Sequence, residues 1–437
     1  MAYFLGSTLQ TNMINGRPTR CKSSGDYVGL VMPPCGDFAA NSSNSSKQSP
    51  WLSASSSTPL SLHDEISSFM AYMEPTTAEK HMREDLVNRF TKLIVSFKMD
   101  ATVRPVGSYV TGLYLPTSDI DMVLTFESDY SHFRTHFGTK YDLEKVMHKI
   151  RVSGFASKVE DVLRASVPLV RITDRITGIE IDLTCADHHG IAATRAVQKW
   201  MKSDTEVIKM LVTVIKMFLS IRKCGTTYTG GINSYVLVWM VVAWVNLEWP
   251  KSRQHQPSPS SSSRTVVHDM DSLNALFESL SVKRSEASQA TRIKQVSTVN
   301  QKPSKTTQSN INFGEILMKF FDFYGNKFDY KGQGIRIEPQ PYYSAKTHSY
   351  SRYIFTQHYL LQIYDPADGS IDMGDKAYGI KHIQETFKEA HRLLVDRTRS
   401  TRLRGAYQGS QSILGELLGG DFTQFEAKRT KLNSRWL

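Results

Sequence analysis

The sequence has few cysteines and no long apolar run. Its four cysteines lie far apart and form no Cys-x-x-Cys pair, which excludes a zinc knuckle and a disulfide framework and favours a reducing compartment. The most apolar run, residues 235–247, is shorter than the roughly 20 residues that a membrane-spanning helix needs. The first residues lack the charged start and apolar stretch of a signal peptide. We therefore expect an intracellular, soluble protein.

The composition excludes a wholly disordered chain, since 40% of the 437 residues are hydrophobic and 22% are charged. Lys and Arg number 53 against 42 Asp and Glu, and the net charge of +11 favours a polyanionic partner such as nucleic acid or an acidic membrane surface. Residues 251–310 and 391–437 each contain nine Lys and Arg and four acids, so together they carry +10 of the +11. We expect the remaining, nearly neutral residues to form the folded core.

Residue patterning predicts two folded domains with flexible ends. Residues 1–50 mix Gly, Pro, Ser and Asn without periodicity and predict a mostly disordered segment. Apolar side chains spaced three and four apart within residues 51–100 predict helices that belong to the helical domain. Residues 101–195 alternate β-rich and helical runs, which predicts a mixed α/β domain. Residues 196–395 are largely helical, and residues 396–437 read as a basic tail.

A Ser-rich, polar stretch interrupts the helical domain at residues 251–310. Structureless loops of this length are uncommon inside compact domains. We therefore predict a flexible insertion, with one short helix at residues 273–280. The fold class that follows is α/β plus α, in which a mixed sheet with helices precedes a mostly helical domain.

Three acids mark the α/β domain as a candidate metal site. Asp119 and Asp121 flank Ile120 in a predicted strand, whose period of two places both carboxylates on one face. In the run GIEIDLT at residues 178–184, alternation places Asp182 on the polar face of a second strand. An isolated Asp-x-Asp is also typical of a solvated strand edge or a turn cap, and the third acid is what favours a metal site. Three carboxylates can hold two Mg²⁺ ions, an arrangement that catalyses nucleotidyl transfer.

Two further features point to a phosphate-containing substrate. Gly107 and Ser108 stand at a predicted turn, where backbone N–H groups and a hydroxyl can hold phosphate oxygens, although a Gly-Ser pair alone more often marks only a turn. An otherwise apolar helix at residues 207–223 carries one polar stripe. The stripe consists of Lys209, Thr213, Lys216, Ser220 and Lys223. Lys209 and Lys223 fit a solvated face equally well, whereas the apolar residues around Lys216 predict deep packing against an anion.

Three runs together resemble the nucleotidyltransferases of the DNA polymerase β superfamily: GSYVTGLYLPTSDIDMV, GIEIDLT and YTGGINSYVL, at residues 107–123, 178–184 and 228–237. They are most similar to the template-independent poly(A) RNA polymerases of DNA polymerase sigma type, the catalytic subunits of TRAMP-like complexes. The resemblance covers roughly residues 50–395. It implies a nucleotidyltransferase palm domain, a mostly helical central, PAP-associated domain, and an enzyme that adds adenylate to RNA 3′ ends without a template.

The resemblance implies roles for particular residues of this chain. Asp119, Asp121 and Asp182 match the three metal-binding acids, and Asp182 also matches the group that activates the RNA 3′-hydroxyl. The positions that match nucleotide-binding residues are Gly107, Ser108, Lys216, Ser234, Tyr235 and Asp372. Tyr235 would stack on the base, although outside this family such a tyrosine would be a core aromatic in most proteins. The implied cofactor is Mg²⁺, with Mn²⁺ as the alternative, and the implied substrate is ATP.

The residues that select the base match the family less well. The loop at residues 364–378 corresponds to the one that lies over the base in relatives. Uridine-adding relatives tend to carry a His where this chain has Ile371, just before Asp372, which argues against a uracil reader. The Asn that adenylating relatives often have at that position is absent too, Asp375 replaces a usual Arg, and His189 replaces a common Asn. The alternatives are a uridylyl- or mixed nucleotidyltransferase and, in another class, an inactive RNA-binding scaffold.

The sequence contains no aromatic RNA-recognition motif that would select particular RNAs. The resemblance implies that RNA 3′ ends are bound together with a zinc-knuckle RNA-binding protein and an RNA helicase, and it implies no membrane partner. A nuclear location is implied by the family, and the cytoplasm is the alternative.

Overall fold

The computed structural model describes residues 13–14, 17–18, 29–38, 49–52, 60–126, 136–165, 167–185, 189–250, 311–346, 358–404 and 412–434. The insertion predicted at 251–310, with its short helix at 273–280, lies outside these residues. Within them, no helix combines the length and the apolar character needed to cross a membrane.

The secondary structure alternates in the first half of the chain and becomes mainly helical in the second. The strands are β1 (Met13–Ile14), β2 (Arg17–Pro18), β3 (Ala101–Pro105), β4 (Ile120–Phe126), β5 (Ala156–Val162), β6 (Leu169–Asp174), β7 (Glu180–Thr184), β8 (Gln333–Arg336) and β9 (Tyr342–Ala345). The helices are α1 (Leu62–Met73), α2 (Thr77–Ser96), α3 (Gly107–Thr111), α4 (His136–Ser153), α5 (His189–Trp200), α6 (Thr205–Ile221), α7 (Ser234–Leu247), α8 (Phe313–Asp322), α9 (Ile380–Arg404), α10 (Ile413–Leu418) and α11 (Thr423–Ser434).

A five-stranded sheet organises the α/β domain in the order β3-β4-β7-β6-β5. Strands β4 and β7 are parallel, and the other neighbours are antiparallel. Apolar residues of α2 and α4 pack into one buried cluster with the inner face of the sheet. The predicted mixed α/β domain is therefore present. The edge strand β5 was not predicted, because its run ASKVEDV is largely polar and contains no buried residue.

The helical domain is built around α6 and α7, whose residues are almost all buried. Phe218 of α6 contacts Phe321 of α8 and Phe387 of α9, with ring centroids 5.2 Å and 6.2 Å away. Such aromatic contacts add to the free energy gained by burying apolar area. Helix α1 packs against α8, whereas α2, which was expected to belong to the helical domain, contributes Leu86 and Phe90 to the core under the sheet.

Described parts of both flanks pack onto the folded core. This differs from the disordered segment predicted at 1–50 and the basic tail predicted at 396–437. The Leu30 N–H donates to His382 Nδ1 at 2.9 Å, and the Met32 N–H donates to Thr386 Oγ1 at 2.9 Å, which fixes the early segment along α9. At the other end, α9 continues past residue 396, and α10 and α11 follow it. The predicted basic tail contains the apolar run ILGELL, in which four residues are buried.

Candidate active site

The three predicted acids lie together at the centre of the sheet. Strand pairing places Asp121 on β4 directly opposite Asp182 on the parallel strand β7. Asp119 precedes β4, and its carboxylate interacts electrostatically with those of Asp121 and Asp182. The alternation that buries Ile181 and Leu183 on the core face turns Asp182 to the opposite face. Asp119, Asp121 and Asp182 therefore lie near one another, and their binding of a metal ion stays a prediction.

The acidic cluster is poorly solvated, and its charges repel one another. Burial, with the neighbouring Asp119 and Asp182 carboxylates, raises the pKa of Asp121 to about 7. Burial and Asp182 likewise raise the pKa of Asp119. Lys216 opposes both shifts. A divalent cation would relieve this repulsion, since clustered carboxylates are the hard oxygen ligands that Mg²⁺ prefers.

Asp182 is paired with Arg171, its cross-strand neighbour on β6. Arg171 Nε and Nη2 donate to the two oxygens of Asp182, each at 2.8 Å. This bidentate pair raises the pKa of Arg171. Across the ranges that the structure covers, no three His, Cys, Asp or Glu side chains are arranged to hold a metal ion together. The donor chemistry of the cluster suits a divalent cation, but Asp182 would share its oxygens between that cation and Arg171.

Gly107 is the point at which the backbone comes closest to the acids. Its φ is +68°, and a Cβ placed there would lie 2.6 Å from Asp121 Oδ2, so only glycine fits. The Gly107 N–H donates to Thr194 Oγ1 on α5 at 2.9 Å. Ser108 is half-buried in the first turn of the five-residue helix α3. The two predicted phosphate-binding residues thus border the acids, and the Gly107 N–H already has a protein partner.

Lys216 is the residue of the α6 stripe that faces the acids. Its ammonium interacts electrostatically with Asp119 and Asp121, and it donates to the Leu113 carbonyl at 3.3 Å. Burial lowers the pKa of Lys216, and the two carboxylates counter that effect. Lys209 is engaged elsewhere, in a 2.7 Å ion pair with Glu74. Of Lys209 and Lys216, it is therefore Lys216 that interacts with the acids.

A second cluster joins the two domains through the buried carboxylate of Asp365. Tyr235, in the first turn of α7, donates its hydroxyl to Asp365 Oδ1 at 2.8 Å. His189 Nε2, at the start of α5, lies 2.7 Å from Asp365 Oδ2. The rings of Tyr235 and Trp239 are also in a T-shaped contact, with their centroids 5.7 Å apart. Asp365 therefore holds the hydroxyl of Tyr235 and Trp239 packs against its ring. The neighbouring Ser234 is half-buried.

The predicted base-selecting loop ends in a short 3₁₀ turn that Asp372 caps. Asp372 Oδ1 accepts the N–H groups of Ile363 and Gly374 at 3.1 Å and 2.9 Å. Burial raises the pKa of Asp372. Ile371 and Asp375 are exposed on either side. Asp372 therefore has a structural role in shaping this loop beyond the nucleotide contact predicted from the sequence.

Three residues of the site were missed by sequence reasoning. Arg171 could have been predicted, because an antiparallel hairpin with its turn at residues 174–178 places Arg171 opposite Asp182. Thr194 and Asp365 carry no local signal, since their partners Gly107 and Tyr235 are distant in the chain.

Comparisons with known proteins agree with this geometry. The family model for the central palm domain of mitochondrial-like poly(A) RNA polymerases matches residues 62–202, and the model for Cid1 family poly(A) polymerases, PAP_assoc, matches residues 312–370. The poly(A) RNA polymerase cid14 of Schizosaccharomyces pombe is 27% identical over 365 residues, which are 82% of this chain and 45% of the relative. Over most of its length, the chain is therefore similar to poly(A) RNA polymerases.

Not all of the matched relatives are described as active. The Drosophila melanogaster protein Trf4-2, described as an inactive poly(A) RNA polymerase, is 27% identical over 75% of this chain and 67% of its own length. This chain spans about half the length of the first curated relatives that it matches.

Solved structures establish the palm-like nucleotidyltransferase fold. The polymerase core of TRAMP, an RNA surveillance complex, superposes with a TM-score of 0.60 at 24% identity, over 81% of this chain and 92% of that one. The Cid1 poly(U) polymerase, in a structure with Mg and 3′-dATP bound, gives a TM-score of 0.54 at 19% identity, over 77% of this chain and 94% of that one. The predicted fold class, a mixed-sheet palm with a helical second domain, is confirmed.

Proposed function

We propose that this protein is a member of the poly(A) RNA polymerase family and a Mg²⁺-dependent, template-independent adenylyltransferase that extends RNA 3′ ends with ATP. The observation that carries the proposal is the trio of the half-buried Asp119 and Asp121 and the buried Asp182, with Gly107 against one carboxylate and Lys216 beside two. The trio provides carboxylate ligands for divalent cations, and the lysine supplies positive charge for a triphosphate. Tailing for RNA surveillance and exosome-linked decay is part of the same proposal.

The chain's own residues divide the work of the reaction. Asp119, Asp121 and Asp182 would hold Mg²⁺, which lowers the pKa of the attacking 3′-hydroxyl and neutralises charge on the phosphates. Lys216 would draw the triphosphate toward the sheet. Tyr235, fixed by Asp365, offers a ring face on which the base can stack.

The proposal predicts that replacing Asp119 and Asp121 together by Ala abolishes tail synthesis from ATP on an RNA primer. The reason is that both residues supply carboxylate oxygens where β4 and β7 bring them together with Asp182. The matched control is Glu160→Ala on β5, two strands away from β7, which should tail normally. Undiminished tailing by the double variant would refute the mechanism.

The uridylyl- or mixed-transferase alternative differs in which nucleoside triphosphate is used. Ile371 lies exposed beside Asp372, where it offers a base no hydrogen bond from its side chain. We expect incorporation from ATP to exceed that from UTP, GTP or CTP when each is supplied alone to the pure protein with Mg²⁺. A clear preference for UTP would favour the alternative.

The inactive-scaffold alternative is supported by the inactive relative Trf4-2. It predicts no coupled binding of metal and nucleotide. Because ligands that bind only the folded state raise the melting temperature, ATP with Mg²⁺ should stabilise the active enzyme. Failure to raise the melting temperature, together with retained RNA binding, would favour the scaffold.

We also propose that the protein acts on RNA with a zinc-knuckle RNA-binding protein and an RNA helicase, in the nucleus. Support comes from the family and from the fold shared with the polymerase core of TRAMP. Co-purification of tagged full-length protein from nuclear extract tests both parts. Purification free of either kind of partner, or an exclusively cytoplasmic signal, would contradict them.

A further inference from the structure

Arg83 is a cation buried in the core of the α/β domain. It lies on α2 with 0% of its surface exposed, and it is among the largest fully buried side chains of the described residues. Its Nη2 donates to two backbone carbonyls, Pro116 at 2.9 Å and Ser118 at 2.7 Å. The side chain is therefore hydrogen-bonded to the loop between α3 and β4, which carries Asp119.

This loop contains a hydrogen-bonded turn that ends next to Asp119. The Leu115 N–H donates to Ser118 Oγ at 3.0 Å, and the Ser118 N–H returns a bond to the Leu115 carbonyl at 2.9 Å. These bonds leave the carbonyls of Pro116 and Ser118 for Arg83. Because the Ser118 carbonyl belongs to the peptide plane that enters Asp119, fixing it limits the rotation of the Asp119 backbone.

The same loop is held at a second point by Lys216, which donates to the Leu113 carbonyl at 3.3 Å. Two cations from two different helices, α2 and α6, thus fix the two ends of a six-residue stretch. The charges of Arg83 and Asp119 also interact directly. The loop is positioned by charged groups rather than by apolar packing alone.

The charge of Arg83 is retained at a cost in stability. Nε and Nη1 are buried and have no hydrogen-bond partner in the part of the chain that the structure describes. The ring of Tyr114, 4.9 Å from the guanidinium carbon, compensates in part. Burying polar N–H groups without partners is unfavourable, and an apolar side chain of similar volume would avoid the penalty. A cost of this kind is typical of a residue that serves the site.

We propose that Arg83 is a positioning residue of the active site, which holds the Asp119 carboxylate in place for metal through the carbonyls of Pro116 and Ser118. This inference rests on the proposed function, because it assumes that Asp119 binds a divalent cation. Arg83 itself touches neither nucleotide nor RNA.

The test compares Arg83→Met and Arg83→Lys with the wild type in the full-length protein. Binding of Mn²⁺ is measured by electron paramagnetic resonance with a non-hydrolysable ATP analogue and without RNA. We expect Arg83→Met to weaken Mn²⁺ binding by about tenfold or more, the usual effect of removing a group that orients a metal ligand. Arg83→Lys, which keeps a donor for the carbonyls, should recover part of this loss.

The matched control is Arg89→Met on the same helix. Arg89 donates to both oxygens of the buried Asp174, each at 3.0 Å, and makes no contact with the Asp119 loop. We expect this variant to lower the melting temperature and to leave Mn²⁺ affinity within about twofold of wild type. If Arg83→Met behaves in the same way, Arg83 is structural only and the inference is wrong.

A second variant keeps the inference testable if Arg83→Met does not fold. Ser118→Ala removes the Leu115 bond that closes the turn but buries no new charge. It should weaken Mn²⁺ binding in the same direction as Arg83→Met, and unchanged affinity would contradict the inference. Absence of Mn²⁺ binding in the wild type would instead contradict the proposed function.

Discussion

Asp365 sets the position of two side chains that come from different parts of the chain. Only 2% of its surface is exposed, yet its carboxylate contacts the Tyr235 hydroxyl and the His189 ring. The Ala367 N–H adds a third bond, at 2.8 Å. Burial raises the pKa of Tyr235, and the Asp365 charge adds to that shift, so the phenol stays protonated and donates at all physiological pH values. The ring proposed to stack on the base is therefore fixed by a charge-assisted hydrogen bond.

At this scale we predict that Tyr235→Phe raises the KM for ATP about tenfold, because it retains the ring but removes one hydrogen bond to a charged group. Asp365→Asn should have the larger effect, since it weakens the contacts with both Tyr235 and His189. Steady-state tailing kinetics at saturating RNA measure both. Tyr228→Phe, at a tyrosine that is 83% exposed, is the control that should leave KM unchanged.

Residues that could be predicted from the sequence are those whose partners lie nearby or in a regular register. Asp119 immediately precedes the strand that carries Asp121, and Asp182 follows from alternation in the next motif. Asp365 and Arg83 could not be predicted, because their roles depend on contacts with residues 130 and 35 positions away. Long-range packing leaves no period in the sequence from which such contacts can be inferred.

At the scale of elements, the early segment at residues 29–38 is attached to α9 by side chains of that helix. The His382 ring accepts the Leu30 N–H through Nδ1, which requires an unprotonated nitrogen at that position. Burial lowers the pKa of His382 from its ordinary value of 6.5, and the contact with Leu30 partly counters the shift. The attachment of the segment is therefore coupled to the protonation of one histidine.

We predict that acidification loosens this segment. A histidine whose pKa is lowered by folding contributes stability that is complete above its unfolded pKa and is lost as the pH falls toward the folded pKa. Protection of the Leu30 amide in hydrogen exchange, corrected for the intrinsic rate, should fall about tenfold between pH 7.5 and 5. His382→Gln, which stays neutral, should remove the pH step, and an equal step in that variant would show that another group is responsible.

Elements were predictable where apolar periodicity was strong. Helices α6 and α7 and strands β4 and β7 follow their patterns closely. Helix α10 was not predicted, because six residues are too few for a clear period, and its ends depend on distant charges. Glu65 accepts the N–H groups of Ile413 and Leu414 at 2.8 Å and 3.0 Å, and Arg222 donates to the Leu417 carbonyl at 2.9 Å. These contacts cap both ends of the helix.

For the whole molecule, the distribution of positive charge differs from the pattern expected for a free basic tail. Arg429 pairs with the buried Glu79 at 2.7 Å, and Arg397 pairs with Glu416 at 2.6 Å. Charges in such pairs are partly neutralised and are held against the fold. The excess available for loose contact with an RNA backbone is therefore weighted toward residues 251–310, which lie outside the described residues.

We predict that deleting residues 251–310 weakens RNA binding and leaves ATP binding intact. Removing nine Lys and Arg against four acids takes away a net charge of +5, so both the affinity and its salt dependence should fall. Filter binding at two salt concentrations and calorimetric titration with ATP measure the two effects. Equal losses of RNA and ATP binding would show that the segment supports the fold.

The pairing of Glu79 with Arg429 also bears on how the protein is made. Glu79 lies in the first turn of α2, the helix that carries Arg83, and its ion-pair partner lies 350 residues further along the chain. At 5 to 20 residues per second, a ribosome needs roughly 20 to 70 seconds to synthesise that interval. Until then Glu79 has only its own helix cap, through the Thr76 N–H at 2.7 Å. The helix beneath the sheet therefore acquires this long-range contact only after residue 429 has been synthesised.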